Sequence, residues 1–168
     1  MPPPLLRAFT DSDLPQALAL NNAAVPAVNL LDEPSFRDLL SLATRSWVVD
    51  DAGTLAALFV TFAPGAPYAS PNYRWHDQRS DDFLYVDRIV VAPTHRRLGL
   101  ARHLYDTLAD HARTNDIPRL VCEVNVEPPN PASIAFHEAN GWIPLEDLRH
   151  GPGKVVRFFH RQLLSFPG

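Results

Sequence analysis

Apolar and polar positions along the chain change period several times, and each change marks an element. Leu5 to Thr10 reads as a short strand. Asp11-Ser12-Asp13 offers N-cap residues, and Leu14, Leu18 and Asn21-Asn22 follow at helical spacing. Pro26 interrupts, and Asn29 to Asp32 reads as loop. Pro34 suits a first helical turn, with Phe36, Leu39, Leu40 and Ala43 on one apolar face. Trp47-Val48-Val49 and Leu55 to Phe62 are strands joined by a hairpin turn at Asp50-Asp51-Ala52-Gly53. Pro64 to Asp82 has no clean period and reads as a long loop carrying Tyr68, Tyr73, Trp75 and His76. Such a loop is either a surface segment pinned by its aromatic rings or a wall on the substrate side.

Phe83 to Val91 is the most strand-like segment, closed by Pro93. Strict alternation puts Phe83, Tyr85, Asp87, Ile89 and Val91 on one face and Leu84, Val86, Arg88 and Val90 on the other. Gly99 to Asn115 is an amphipathic helix with Leu100, Leu104, Leu108 and Ala112 on one side. Leu120 to Val126 is a strand, and Glu127 to Asn130 a proline-stiffened turn. Pro131 to Ala139 is a short helix stopped by Asn140-Gly141. Trp142 to Leu148 and Val155 to Leu163 are the last strands, joined through Gly151-Pro152-Gly153. The order β-α-α-β-β-β-α-β-α-β-β predicts an α/β domain, a mixed sheet with helices packed on it, filling residues 1–168 without an internal repeat or a linker.

Composition narrows the function. The net charge is −4, whereas nucleic-acid binding favours a basic balance, so no nucleic-acid partner is expected. No apolar run is long enough for a membrane span, and Met1-Pro2-Pro3-Pro4 lacks the layout of a secretory signal. The single cysteine, Cys122, forbids an intrachain disulfide, which suits a reducing cytoplasm; on an apolar strand it reads as a small core residue. The seventeen prolines are scattered and serve as turn stiffeners. His103 and His111 have no metal-ligand spacing, so no metal is expected.

The chemistry concentrates in Ile89-Val90-Val91-Ala92-Pro93-Thr94-His95-Arg96-Arg97-Leu98-Gly99-Leu100-Ala101. A buried strand runs into a basic turn, and a long helix starts at once. The first N–H groups of a helix lack internal partners and carry partial positive charge. They make a seat for a phosphate, and Gly99 lets the chain approach it. The spacing fits neither G-x-x-x-x-G-K-[ST] nor G-x-G-x-x-G, which excludes a P-loop and a dinucleotide fingerprint.

Arg96-Arg97-Leu98-Gly99-Leu100-Ala101 resembles the R/Q-x-x-G-x-G/A signature of the GNAT superfamily of N-acetyltransferases, and Ile89 to Pro93 resembles its strand-then-proline lead-in. Asn130-Pro131-Ala132-Ser133-Ile134-Ala135-Phe136-His137-Glu138-Ala139-Asn140-Gly141-Trp142 resembles the second motif, N-x-x-A/S-x-x-x-Y-x-x-x-G-F. The strand Val86-Asp87-Arg88-Ile89-Val90-Val91 and the turn Glu127 to Ser133 are similar to a bacterial branch with no assigned substrate. The resemblance implies a largely antiparallel sheet of about seven strands with four helices.

It also implies acetyl-CoA as donor. Its pyrophosphate would lie on the N–H groups of Arg97 to Arg102, and its pantetheine would pair with the backbone of Ile89 to Val91. On that reading the backbone of Arg96 and Arg97 matters more than the side chains, and Leu98 and Leu100 are packing residues. Asn130, Ser133 and Phe136 would border the cofactor, with Asn130 and Ser133 alternatively serving only as caps. Succinyl-CoA or a longer acyl-CoA is an alternative donor, and a non-catalytic acyl-CoA-binding module is an alternative to an enzyme.

Acyl transfer to a primary amine needs a base, an oxyanion donor and a proton for the leaving thiolate. Asp87 is the first candidate base, since a carboxylate on an apolar strand face is costly unless paired or functional; an ion pair with Arg88 is the plainer alternative. Glu123 on the neighbouring strand is the second, with a solvated strand residue as its plainer alternative. His137 stands where the superfamily has tyrosine and is the candidate acid, with pantetheine contact as the alternative and Tyr85 or water supplying the proton instead. Asn21, Asn22, Asn29, Tyr73, Trp75, Tyr85 and Asn125 are candidate contacts for a small-molecule amine or amino acid. The resemblance leaves homodimerisation open, with no interface legible.

Overall fold

In the computed structural model, which describes residues 2–163, the chain forms strands β1 (Leu5–Ala8), β2 (Arg45–Asp51), β3 (Thr54–Phe62), β4 (Phe83–Val91), β5 (Arg119–Glu127), β6 (Ile143–Arg149) and β7 (Val155–Gln162). Its helices are α1 (Leu14–Ala23), α2 (Glu33–Leu42), α3 (Pro71–Asp77), α4 (Leu100–Thr114) and α5 (Pro131–Ala139). Met1, first residue of the proline-rich start, lies outside the described residues. The strands make one seven-stranded sheet in the order β1-β2-β3-β4-β5-β7-β6. Every neighbouring pair is antiparallel except β4 and β5. The element order read from the sequence holds apart from α3, a fifth helix between β3 and β4 where four helices in all were expected, and boundaries move by a few residues.

Local chemistry explains the elements. Asp50 Oδ1 accepts from the Gly53 N–H at 2.7 Å, and Ala52 and Gly53 both have positive φ, so the β2–β3 hairpin turns with the twist of its strands. Asp32 caps α2 by accepting from the Ser35 N–H at 2.9 Å, and Phe36 and Leu39 face inward. In α4 the buried stripe is Leu104, Tyr105, Leu108, Ala109 and Ala112.

The sheet is covered on both faces. On one side α4 and α5 enclose Leu84, Val86, Leu104, Leu108, Leu120, Cys122, Val124 and Phe159. On the other, α1 and α2 pack on Val48, Leu58, Val60, Phe62, Phe83, Tyr85 and Val121. Cys122 is buried in the first core, and burial pushes its thiol well above the usual range.

The segment from Pro64 to Asp82, expected as loop throughout, contains α3. Ser70 Oγ accepts from the Tyr73 N–H at 3.4 Å, and Pro71 occupies the first turn. Tyr73 is fully buried; its hydroxyl donates to the Ala63 carbonyl at 2.7 Å and accepts from the Ala66 N–H at 2.9 Å. That one hydroxyl ties down both ends of the turn leading into the segment. Tyr73→Phe is expected to cost about 1–3 kcal/mol, because the N–H and the carbonyl both lose their partner. Urea unfolding reads this directly, and an unchanged midpoint at equal slope refutes it.

Alternation along β4 does not run through the whole strand. Val60 pairs with Arg88 and Thr61 with Val86, which leaves Asp87 as an extra residue. This β-bulge shifts the period by one. Phe83 and Tyr85 therefore pack toward α1 and α2, whereas Ile89 and Val91 pack toward α4. The expected single face of Phe83, Tyr85, Asp87, Ile89 and Val91 is broken at Asp87.

Candidate active site

The β4–β5 ladder holds only Phe83–Arg119, Leu84–Leu120 and Tyr85–Val121. Beyond Tyr85 the two strands part. A cavity of about 430 Å³ passes through the sheet at this split. Tyr105, Cys122, Ser133 and His137 line it from the α4–α5 side, and Asn29, Tyr68, Asn72, Glu123, Asn125 and Lys154 from the other. Two reactants can thus approach one point from opposite faces.

Asp87 sits at the cavity with both carboxylate oxygens engaged. Tyr68 Oη donates to Oδ1 at 2.7 Å, and Arg88 Nε donates to Oδ2 at 2.8 Å. Burial, with the Asp87 charge behind it, pushes the Tyr68 hydroxyl up, so it stays protonated. Arg88 also donates to Asn21 Oδ1 at 2.7 Å and Asn29 Oδ1 at 3.0 Å. The Asp87–Arg88 side chains are only 4% and 6% exposed. Here the charge on β4 fastens the α1–α2 connection to the sheet.

Glu123 differs. Its Oε1 accepts from Tyr85 Oη at 2.8 Å and from Asn72 Nδ2 at 3.2 Å. Its Oε2 is buried without a partner. Burial, with the negative charge of Asp87 behind it, pushes the Glu123 carboxyl up to about 8. His150 Nε2 lies 2.7 Å from Asn72 Oδ1 and orients that amide. A carboxyl held by one oxygen, bare at the other and titrating near neutrality has what a general base needs.

His137 is buried, and burial holds its imidazole below the usual 6.5. The Ser133 carbonyl, 2.7 Å from Nδ1, can only accept, so Nδ1 carries the proton. Nε2 then accepts from Tyr105 Oη at 2.9 Å. His137, the candidate acid, is thus a neutral ring that orients a tyrosine. Tyr105 was not singled out from sequence, because on α4 it lies within an ordinary core stripe.

The other expected contacts divide. Asn29 and Asn125 line the cavity, whereas Asn21 is buried behind Asn29, donating to its carbonyl at 3.1 Å. Asn22 staples the loop through Leu31, donating to its carbonyl and accepting from its N–H. Tyr85 is buried behind Glu123. Tyr73 and Trp75 do not reach the cavity. Tyr73 is a core ring, and Trp75 stacks on Phe158 at 4.1 Å with Arg79 over its other face. Both side chains pack against other aromatic rings.

The turn before α4, where a phosphate seat is expected, has an unusual backbone. Arg97 and Gly99 both adopt left-handed φ, +64° and +76°. Among the described residues no backbone carbonyl takes the N–H of Leu98 or Gly99. The side chains of Arg96 and Arg97 are exposed and make no ion pair among the described residues. Leu98 is 63% exposed, so it is not the packing residue expected; Leu100 packs against the α4-side core. Arg102 is exposed. Ile89 and Val91 are half-buried and Val90 is buried, on a strand edge that β5 leaves open past Tyr85. Asn130 occupies the N-cap of α5 without a side-chain cap bond and lines the cavity beside Ser133. Phe136 packs on Tyr105 with centroids 6.0 Å apart. A phosphate-bearing acyl donor would find two suitable features here, unpartnered N–H groups just before α4 and an open strand edge on β4 whose Ile89 borders the cavity.

The model of the acetyltransferase (GNAT) family matches residues 19–142. The chain belongs to that family. Solved GNAT-fold structures agree. The ribosomal-protein-S18-alanine N-acetyltransferase of Escherichia coli superposes with a TM-score of 0.73 at 20% identity, covering 98% of this chain and 96% of that one. Ard1 of Thermoplasma volcanium gives 0.76 at 16% identity, covering 96% and 99%. The yncA protein of Salmonella typhimurium, solved with acetyl-CoA, gives 0.70 at 19% identity, covering 99% and 98%. A search of curated proteins finds no match. GNAT membership carries acyl transfer from acetyl-CoA as the general chemistry. Among the described residues no group of three or more His, Cys, Asp or Glu could hold a metal ion, and no helix is long and apolar enough to cross a membrane.

Proposed function

We propose that the chain transfers an acetyl group from acetyl-CoA to the primary amine of a small molecule, with Glu123 as the general base. The bare, buried Oε2 of Glu123 in the cavity at the β4–β5 split carries this reading. The ionised carboxylate takes a proton from the ammonium. The freed nitrogen lone pair attacks the thioester carbonyl and a C–N bond forms; the nitrogen gives its second proton to solvent, and the C–S bond breaks to release a thiolate. N–H groups on the open edge of β4 are suited to the oxyanion.

Tyr105 faces the cavity with its proton held toward His137. Burial pushes its hydroxyl well above the usual value. When a thiolate forms, this single O–H turns from His137 Nε2 to the sulfur and donates there without leaving the oxygen; solvent then protonates the sulfur. His137 positions Tyr105 in this scheme. Asp87 has no free oxygen to serve as the base and is assigned to holding Tyr68 and Arg88.

Calorimetric titration tests the donor site, with CoA and NAD as controls. Acetyl-CoA is expected to bind saturably to the wild type. Gly99→Glu is expected to lose that binding, because it sets a negative charge and a strained left-handed residue at the start of α4. Circular dichroism checks that the variant is folded. No saturable binding to the wild type at millimolar ligand would overturn the enzyme reading; binding without turnover of any amine would favour an acyl-CoA sensor.

A further inference from the structure

Lys154 is the chain's only lysine; the other fourteen of its fifteen Lys and Arg residues are arginine. It stands at the start of β7, in the hairpin after Gly151-Pro152-Gly153, where the His150 N–H donates to the Lys154 carbonyl at 2.8 Å. Its side chain lines the cavity, and Nζ donates to Asn125 Oδ1 at 2.7 Å. Asn125 in turn donates from Nδ2 to the Pro26 carbonyl at 3.1 Å, so the amide is held at both ends and cannot turn away. An ammonium has three donors, and this contact uses one.

The charges around Lys154 are otherwise spoken for. Asp87 pairs with Arg88, and Glu127 pairs with Arg149 on the surface at 3.2 Å. His150 is engaged with Asn72. Glu123 has its Oε1 on Tyr85 and Asn72, and no carboxylate lies within 4 Å of Nζ among the described residues. Among the described residues the cavity wall therefore carries one cation, Lys154, whose only hydrogen-bond partner is a neutral amide. Glu123 and Asn125 are two apart on β5 and face the same side, roughly 7 Å from one to the next. A base for the amine and a cation with spare donors thus stand side by side.

We propose that Lys154, tethered by Asn125, is a carboxylate subsite, and that the acceptor is an amino acid, its amine at Glu123 and its carboxylate at Lys154. This rests on the acyl-transfer reading above. One ammonium with two spare donors and no unpaired arginine beside it suits a monoanion such as a carboxylate; a dianionic phosphate would call for more charge.

Initial-rate kinetics with acetyl-CoA and matched acid–amide pairs test it: α-, β- and γ-amino acids, each against its own amide, with Lys154→Met, Lys154→Glu and Lys154→Arg beside the wild type. The readout is the ratio of kcat/KM for acid over amide. The wild type is expected to favour the acid of its best pair by roughly ten- to a hundred-fold, as for a charge-assisted hydrogen bond. Lys154→Met brings the ratio near one, Lys154→Glu inverts it, and Lys154→Arg keeps it above one. A ratio preserved in Lys154→Met while both rates fall shows a structural lysine and overturns the proposal. Equal wild-type rates on acid and amide overturn the subsite while leaving acyl transfer standing. No turnover of any amine overturns both.

Discussion

Glu123→Gln is expected to lower kcat/KM for acyl transfer by about 10²–10⁴-fold while leaving acetyl-CoA affinity near that of the wild type. The amide keeps the contacts of Oε1 with Tyr85 and Asn72 but cannot take the amine's proton. The pH profile carries the same information. With its carboxyl up at about 8, Glu123 is protonated and idle at pH 6. Wild-type kcat/KM should therefore climb through pH 8, and the limb should be absent in Glu123→Gln. An acceptor amine of low pKa keeps the limb assignable to the enzyme. The groups facing this carboxyl are Asp87, which raises it, and Tyr85, Asn72 and Lys154, which lower it.

Stability should move the opposite way. Between the ordinary 4.5 and about 8, folded Glu123 holds a proton that the unfolded chain has released. Its contribution is complete below about pH 4.5 and is lost as pH rises through 8, on the order of a few kcal/mol. Glu123→Gln does not titrate, so it should flatten this decline and be the more stable protein at pH 9. Denaturant titrations of both proteins at pH 6 and pH 9 decide it. A variant that gains nothing at pH 9 and keeps an alkaline activity limb would remove Glu123 from the mechanism.

The largest stability effect is expected at the bulge. Asp87→Ala strands the Arg88 guanidinium in the interior with only Asn21 and Asn29 as partners. Breaking a buried pair from one side costs about 3–5 kcal/mol. For a chain of this length that lowers Tm by roughly 10 °C. The double variant Asp87→Ala/Arg88→Met should recover part of the loss, since it removes the uncompensated charge. Calorimetric scans rank the three proteins; a double variant less stable than the single one would refute the ion-pair account.

The sequence made the sheet and the long helices legible, because each is long enough to show its period against the core. It did not reveal α3, whose single buried turn is too short for periodicity. The signal was there in Ser70-Pro71, a cap residue followed by a proline suited to a first turn. The bulge at Asp87 was hidden for a different reason. Alternation assumes an unbroken ladder, and one extra residue swaps the faces of everything after it.

The site was half legible. Glu123, Asp87, His137, Asn29 and Asn125 all reach the cavity. Which carboxylate has a free oxygen depends on Tyr68, Tyr85 and Asn72, whose partners lie 19, 38 and 51 residues away in the chain. No local pattern reports contacts of that range. Trp75 lies away from the cavity, stacked on Phe158, and an aromatic residue in an aperiodic segment offers no sign of which surface it will cover. Lys154 had a compositional signal, as a lone lysine among arginines, but its placement needed the hairpin.

The split between β4 and β5 has a thermodynamic consequence. Three residue pairs are all that the ladder contributes between the β1–β4 half and the β5–β7 half. On the proposed reading, the acyl donor lies along the open remainder of that seam and supplies bonds that the protein leaves unmade. Substrate then acts as missing structure, a removable strand whose binding free energy adds to cohesion between the halves. The enzyme would be at its most cohesive when loaded and would loosen along this one line each time product leaves.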